Sequence, residues 1–192
     1  ILVWAMFMRD GIKTTSGRLF TIVGPSGSGK DSILNALQPR LPSLKIVKRV
    51  ITRPKNGGDE DHVYLCQRLF DRAAQDGSFL FKWHAHGLSY GVPTSILDDL
   101  KSGHDVLFNG SRHALADMQI EFPDLTVIWV TVSIDILASR LAKRGRETDK
   151  AIKNRLERYA PSPPKNAIII DNSGALSGAV DQLVNVFRVT SH

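Results

Sequence analysis

Cysteine is almost absent from this chain. Among 192 residues there is one, Cys66. An internal disulfide is therefore impossible, and a structural zinc site built on two or more cysteines is excluded. A reducing compartment, the cytoplasm, is the expected home. Long apolar runs are also missing. The longest stretch at the start, Ile1 to Met8, is far short of the roughly 20 residues a membrane-spanning helix needs, and it lacks the basic region and small-residue cleavage site of a signal peptide. Residues 1–17 are read as a leader of uncertain status and set apart from the fold. No repeat or low-complexity tract stands out, and no nucleophile is paired with an evident base.

Charge is present, and it is unbalanced. Lys plus Arg number 25 against 19 Asp plus Glu, a formal net charge of +6. An anionic partner follows: nucleic acid, acidic lipid or a small phosphorylated molecule. A composition of 42% apolar and 23% charged residues is that of one globular domain.

Strands alternate with helices at both ends of the chain. Leu19–Val23 has the apolar, β-branched character of a buried strand. Asp31–Gln38 carries Ile33, Leu34 and Leu37 at helical spacing. Leu44–Thr52 reads as one further strand, Phe79–His84 and Leu88–Val92 as a hairpin around Gly87, and Pro93 as the first residue of a helix reaching Lys101. Strands at 105–108, 125–132 and 167–170 alternate with helices at 112–120, 134–143, 149–159 and 175–189. The fold class is α/β, a three-layer arrangement with a parallel sheet covered on both faces. The strand- and turn-rich stretch 49–92 reads as an insertion in a single domain spanning 18–190.

The strongest signal is Gly24-Pro25-Ser26-Gly27-Ser28-Gly29-Lys30, between a strand and a helix, the context of a P-loop. Its glycines let backbone N–H groups turn toward phosphate oxygens, and the following helix adds positive potential. Lys30 would reach the β- and γ-phosphates of a nucleotide. Where the motif asks for Ser or Thr after the lysine, this chain has Asp31, then Ser32. The Asp31 carboxylate can hold Mg²⁺, directly or through water, or simply complement the helix N-terminus.

Three more segments accompany the loop: Ile51-Thr52-Arg53-Pro54, then His86-Gly87-Leu88-Ser89-Tyr90-Gly91, then a basic cluster of Arg140, Arg144, Arg146 and Arg155. Together they resemble the guanylate kinase superfamily of nucleoside monophosphate kinases, over about residues 18–190. The resemblance implies a P-loop core, an acceptor-binding insertion at about 49–92 and a lid at about 142–156. It further implies that Arg53 and Tyr90 grip the acceptor phosphate and that Arg140, Arg144 and Arg155 neutralise the transferred phosphoryl group. Asp171-Asn172 falls where relatives contact the adenine. A lid is preferred to an RNA-binding basic helix because these residues follow a P-loop at the right distance.

Two departures from guanylate kinases are informative. The strand expected to carry a guanine-reading acid is Phe79-Leu80-Phe81-Lys82-Trp83, which has none. The expected aspartates after the insertion are replaced by Asn109-Gly110-Ser111-Arg112. A site lacking a required polar partner loses selectivity for the ligand that needs it. These segments, with Lys30-Asp31-Ser32, Trp83–Leu88 and Arg144-Gly145-Arg146-Glu147, are similar to those of a narrower family, the ribose 1,5-bisphosphate phosphokinases of bacterial phosphonate degradation. That resemblance implies ATP and Mg²⁺ as cofactors, a phosphosugar as acceptor, and neither nucleic acid nor membrane as partner. It leaves GMP-type kinase activity and a non-catalytic interaction domain as alternatives. A base-free, doubly phosphorylated acceptor calls for cations and hydroxyls; Arg49, Arg53, Lys82, Tyr90, Asn109, Ser111 and Arg112 are the candidates, with Lys82 or Arg112 on the second phosphate. Asp59-Glu60-Asp61 is read as a solvated turn, though Glu60 could touch ribose hydroxyls. Cys66 and Trp83 are read as core, and His84 and His86 as hairpin residues rather than metal ligands.

Overall fold

A computed structural model describes residues 17–54, 60–144 and 162–189, apart from the side chains of 143, 144 and 189. A five-stranded sheet runs in the order β2 (Lys45–Val47), β7 (Val106–Asn109), β1 (Leu19–Val23), β8 (Thr126–Thr131), β9 (Ile168–Asp171). β2 pairs parallel with β7, and β8 parallel with β9. β1 and β7 are buried along their whole length. Strands so fully buried and mostly apolar are what a parallel sheet covered on both faces requires. A second sheet of four strands has the order β4 (Val63–Tyr64), β3 (Val50–Ile51), β6 (Leu88–Pro93), β5 (Phe79–Ala85). Among the described residues no helix is long and apolar enough to cross a membrane.

The chain forms two compact units, whose boundaries fall inside β1 and β8. The first includes residues 43–126. Its hairpin β5–β6 turns on His86 (φ 53°) and Gly87 (φ 74°). Two successive left-handed residues give a two-residue turn whose twist matches that of the strands. Register then assigns the faces. Trp83 pairs with Tyr90, and Tyr90 with Ile51, so these share one face with Phe81, whose ring stacks on Phe108 at 5.5 Å. Lys82, His84, Ser89 and Gly91 occupy the other. There Phe79, brought round by a bulge, stacks at 4.7 Å on Phe70 of α2 (Gln67–Gln75). Helices α3 (Ile96–Lys101) and α4 (Leu115–Glu121) complete this unit.

The second unit includes residues 22–42 and 127–189. It holds α1 (Lys30–Leu37), α5 (Ile134–Arg144) and α6 (Leu176–Val189). Ala179, Val180, Leu183, Val184 and Phe187 make a buried stripe along α6, and Ile33, Leu34 and Leu37 a matching stripe on α1. The exposed Arg40–Asp181 ion pair ties the end of the α1 segment to α6.

Two expectations are corrected. Residues 44–52 form not one strand but two, β2 and β3, in different sheets; Lys48 and Arg49 make the crossing between them. Pro93 does not open a helix. It pairs with Phe79 as the last residue of β6, an end position where its missing N–H costs no interior ladder bond, and α3 begins at Ile96. The segment 1–16 and the helix expected at 149–159 lie outside the described residues.

The face assignment is testable. A Cβ on Gly91 would fall 2.6–2.8 Å from three atoms of the Phe79 ring. That ring is held by Phe70, so Gly91→Ala should lower unfolding free energy by about 1–3 kcal/mol, read by denaturant titration.

Candidate active site

The phosphate loop lies in the second unit. Gly27 (φ +90°) and Gly29 (φ +87°) adopt left-handed backbone, and Gly29 caps α1. Space as well as φ demands glycine here: a Cβ on Gly29 would lie 2.6 Å from Asn172 Nδ2, and one on Gly24 would lie 2.7 Å from Val130 O. Ser28 N donates to Pro25 O at 3.1 Å and closes the turn. The Lys30 ammonium donates to Gly24 O and Pro25 O, both at 3.1 Å, folding its charge over the loop. The Leu137 and Leu141 side chains form the apolar floor under Gly27.

Asn172, 2% exposed, ties the loop to the end of β9. Its Nδ2 donates to Ser28 O at 2.7 Å, and its own carbonyl accepts from Arg140 Nη2 at 2.9 Å. Arg140 is thereby held beside Gly29, so the structure brings Lys30, Arg140 and the loop together. Ser28 Oγ, Asn172 Oδ1 and Arg140 Nη1 are buried atoms with no hydrogen-bond partner. Buried polar groups left so are costly, and a bound ligand or an ordered water can complete the bonding. Asp31 sits half-buried in the first turn of α1, with Ser32 exposed beside it. Its carboxylate is a hard oxygen donor of the kind that suits Mg²⁺. Sequence reading placed Asn172 near adenine only by resemblance; the buried strut from Asn172 to Ser28 has no local signal.

The second cluster lies in the first unit, on the Trp83–Tyr90 face. Those two rings stack 5.4 Å apart and 2° from parallel. The Arg49 guanidinium lies over both, 5.0 Å from the Tyr90 ring and 5.5 Å from Trp83, a cation–π arrangement. Glu60 receives Arg49 Nε at 2.8 Å and Nη2 at 2.7 Å, and Arg53 Nη2 at 3.2 Å. His62 places Nδ1 at 2.8 Å from Glu60 O and Nε2 at 2.7 Å from Arg53 O. Arg53 Nε is buried without a hydrogen-bond partner. Burial pushes the Tyr90 phenol above its ordinary pKa, Arg49 and Arg53 oppose the shift, and Glu60 adds to it. The phenol therefore stays protonated, a donor, across the neutral range.

The reading of Glu60 as a solvated turn residue is corrected: its side chain is 11% exposed and serves two arginines. Lys82 is also corrected. Strand alternation turns it to the face opposite Arg53 and Tyr90, where its charge bears on Glu121, whose carboxyl burial raises. Cys66 is half-exposed at the N-cap of α2, not core; Trp83 is buried as expected and also lies beneath the Arg49 guanidinium. His84 is bonded through Nδ1 to Ser89 Oγ at 2.9 Å. Asn109 is buried at the end of β7, with Ser111 and Arg112 half-buried after it. Phe108, just before them, stacks on Phe81 of the aromatic face. The Arg144 side chain, Arg155 and the expected lid beyond residue 144 lie outside the described residues.

The guanylate kinase family model matches residues 16–188. The chain is 40% identical over 175 residues to ribose 1,5-bisphosphate phosphokinase PhnN of Chromobacterium violaceum, covering 90% of this chain and 95% of that one. It is 42% identical to the protein of the same name from Pantoea vagans, covering 90% and 98%. It belongs to the ribose 1,5-bisphosphate phosphokinases of the guanylate kinase superfamily. A solved guanylate kinase from Anaplasma phagocytophilum superposes with TM-score 0.67 at 19% identity, covering 91% of this chain and 86% of that one, a likeness of fold.

For a kinase of this family the loop geometry has a measurable consequence. Gly29→Ala should cut kcat/KM for the nucleotide about a hundredfold, because displacing the loop by even ~1 Å misaligns the reacting groups. Lys82→Glu, on the far face, should leave KM for both substrates within about twofold, as expected of an exposed substitution away from the site.

Proposed function

We propose that this chain transfers the γ-phosphoryl group of ATP to ribose 1,5-bisphosphate, forming 5-phospho-α-D-ribose 1-diphosphate and ADP, in the cytoplasm and within phosphonate breakdown. An oxygen of the acceptor's 1-phosphate attacks the γ-phosphorus, and the bond from that phosphorus to the β–γ bridging oxygen breaks. The attacking oxygen is already ionised at neutral pH, so the step needs no general base. That suits a chain with no evident nucleophile–base pair. Positioning and charge neutralisation carry the catalysis. Lys30 and Arg140 oppose the charge of the transferring phosphates, with Arg144 and Arg155 assigned to the same task. Asp31 would hold Mg²⁺, whose charge would offset that of the phosphate oxygens.

The observation that carries this reading is the intact phosphate loop in a chain about 40% identical, over 90% of its length, to proteins bearing that name. The acceptor cluster supports it. Among the described residues of the cluster the carboxylate is Glu60, and both its oxygens are engaged by guanidinium groups. Arg53 and Tyr90 are assigned to one acceptor phosphate, with Asn109 and Ser111 supplying polar contacts. Of the two cations considered for the second phosphate, Arg112 is retained, since Lys82 is on the opposite face.

The test is ADP release, with ribose 1,5-bisphosphate, GMP, AMP and gluconate offered in turn alongside ATP–Mg²⁺. The sugar bisphosphate should give the highest kcat/KM. Turnover of GMP with equal efficiency would reverse the assignment.

A further inference from the structure

His62 makes two bonds that no single neutral imidazole can make. It is 4% exposed. Nδ1 lies 2.8 Å from the carbonyl oxygen of Glu60, and Nε2 lies 2.7 Å from the carbonyl oxygen of Arg53. Both partners are acceptors only. A neutral ring donates from one nitrogen and carries a lone pair on the other, and that lone pair would face a carbonyl oxygen at bonding distance; the imidazolium alone donates from both. The two carbonyls belong to the residues whose side chains meet in the acceptor cluster, Arg53 and Glu60, across a separation of seven positions.

We infer that His62 is a positioning residue for the acceptor phosphate: as an imidazolium it clasps the backbones of Arg53 and Glu60, and so sets the plane in which Glu60 holds Arg49 and offers Arg53. The inference rests on the phosphosugar reading of this cluster. Arg49 is occupied by its bidentate bond to Glu60 and by the aromatic face. Arg53 keeps a single bond to Glu60 and has a buried Nε with no hydrogen-bond partner, the donor the clasp holds ready. Among the described residues the charged and titratable groups of the cluster are Arg49, Arg53, Glu60 and the Tyr90 phenol, with the exposed Lys48–Asp61 pair adjoining. Among them, the two arginines and the imidazolium outnumber the Glu60 carboxylate.

His62→Gln keeps one neutral donor for a carbonyl; His62→Leu removes the clasp.

Steady-state kinetics of the full chain and both variants, with ribose 1,5-bisphosphate and ATP–Mg²⁺, test this. His62→Leu should raise KM for the sugar by about tenfold or more, the cost of leaving buried carbonyls unpaired near the site, with KM for ATP within about twofold. His62→Gln should lie between. Nitrogen-15 spectra of the imidazole, recorded without substrate under the assay conditions, should show both ring nitrogens protonated. A ring nitrogen without a proton there, or a sugar KM of His62→Leu within about twofold of the unaltered chain's, would overturn the clasp. If the unaltered chain releases no ADP with the sugar, the phosphosugar reading itself fails and takes this role of His62 with it; an active chain with unmoved variants removes the clasp alone.

Discussion

Cations gathered in one cluster repel one another, and a folded chain tolerates them where an internal anion or backbone carbonyl dipoles offset the repulsion. In the first unit that anion is Glu60. Its two oxygens take three guanidinium N–H groups, two from Arg49 and one from Arg53. Breaking such a buried pair by removing one partner typically costs 3–5 kcal/mol, because the other charge is left uncompensated. The stacked Trp83 and Tyr90 rings add a cation–π surface beneath Arg49. The strands β3, β5 and β6 are thus held together on this face by charge as well as by apolar contact. Arg49 is consumed in that task, which leaves Arg53 as the guanidinium with bonding capacity to spare.

The second unit solves the same problem differently. Two described bonds of the Lys30 ammonium go to backbone carbonyls, Gly24 O and Pro25 O. Carbonyl dipoles hold a cation more weakly than a carboxylate does, so these bonds can be exchanged for phosphate oxygens. The loop's curvature depends on left-handed glycines packed against Asn172, with leucines of α5 beneath Gly27. Asn172 then links three things, the loop carbonyl of Ser28, the end of β9 and the Arg140 guanidinium, so that donor groups near the loop are placed by one buried amide.

Much of this was legible in the residues. The strand-loop-helix around Gly24–Lys30 announces itself because glycine spacing, a preceding apolar run and a following helical stripe all point the same way. The parallel sheet follows from mostly apolar strands. The hairpin at Gly87 is marked by the glycine its turn requires. Other features were misread where a residue's partner is remote. Leu44–Thr52 looks continuous because nothing local says that β2 pairs with β7 and β3 with β6. Glu60 stands in an acidic run that reads as solvated, and only the pairing of β3 with β4 and β6 brings the loop holding it onto Arg49. Lys82 has the right charge at the expected position, yet strand alternation turns it away.

The order of residues alone determined the phosphate loop, the α/β class and the absence of acids from the strand where a purine reader would stand. These are properties of neighbours along the backbone, where a few bonds of separation fix geometry. The tertiary structure alone decided which cations share a face, that Glu60 joins two of them, and that Asn172 braces the loop from β9. Those contacts join residues through register and sheet order, and a one-residue change of register would reverse every side chain on the strand without altering its sequence.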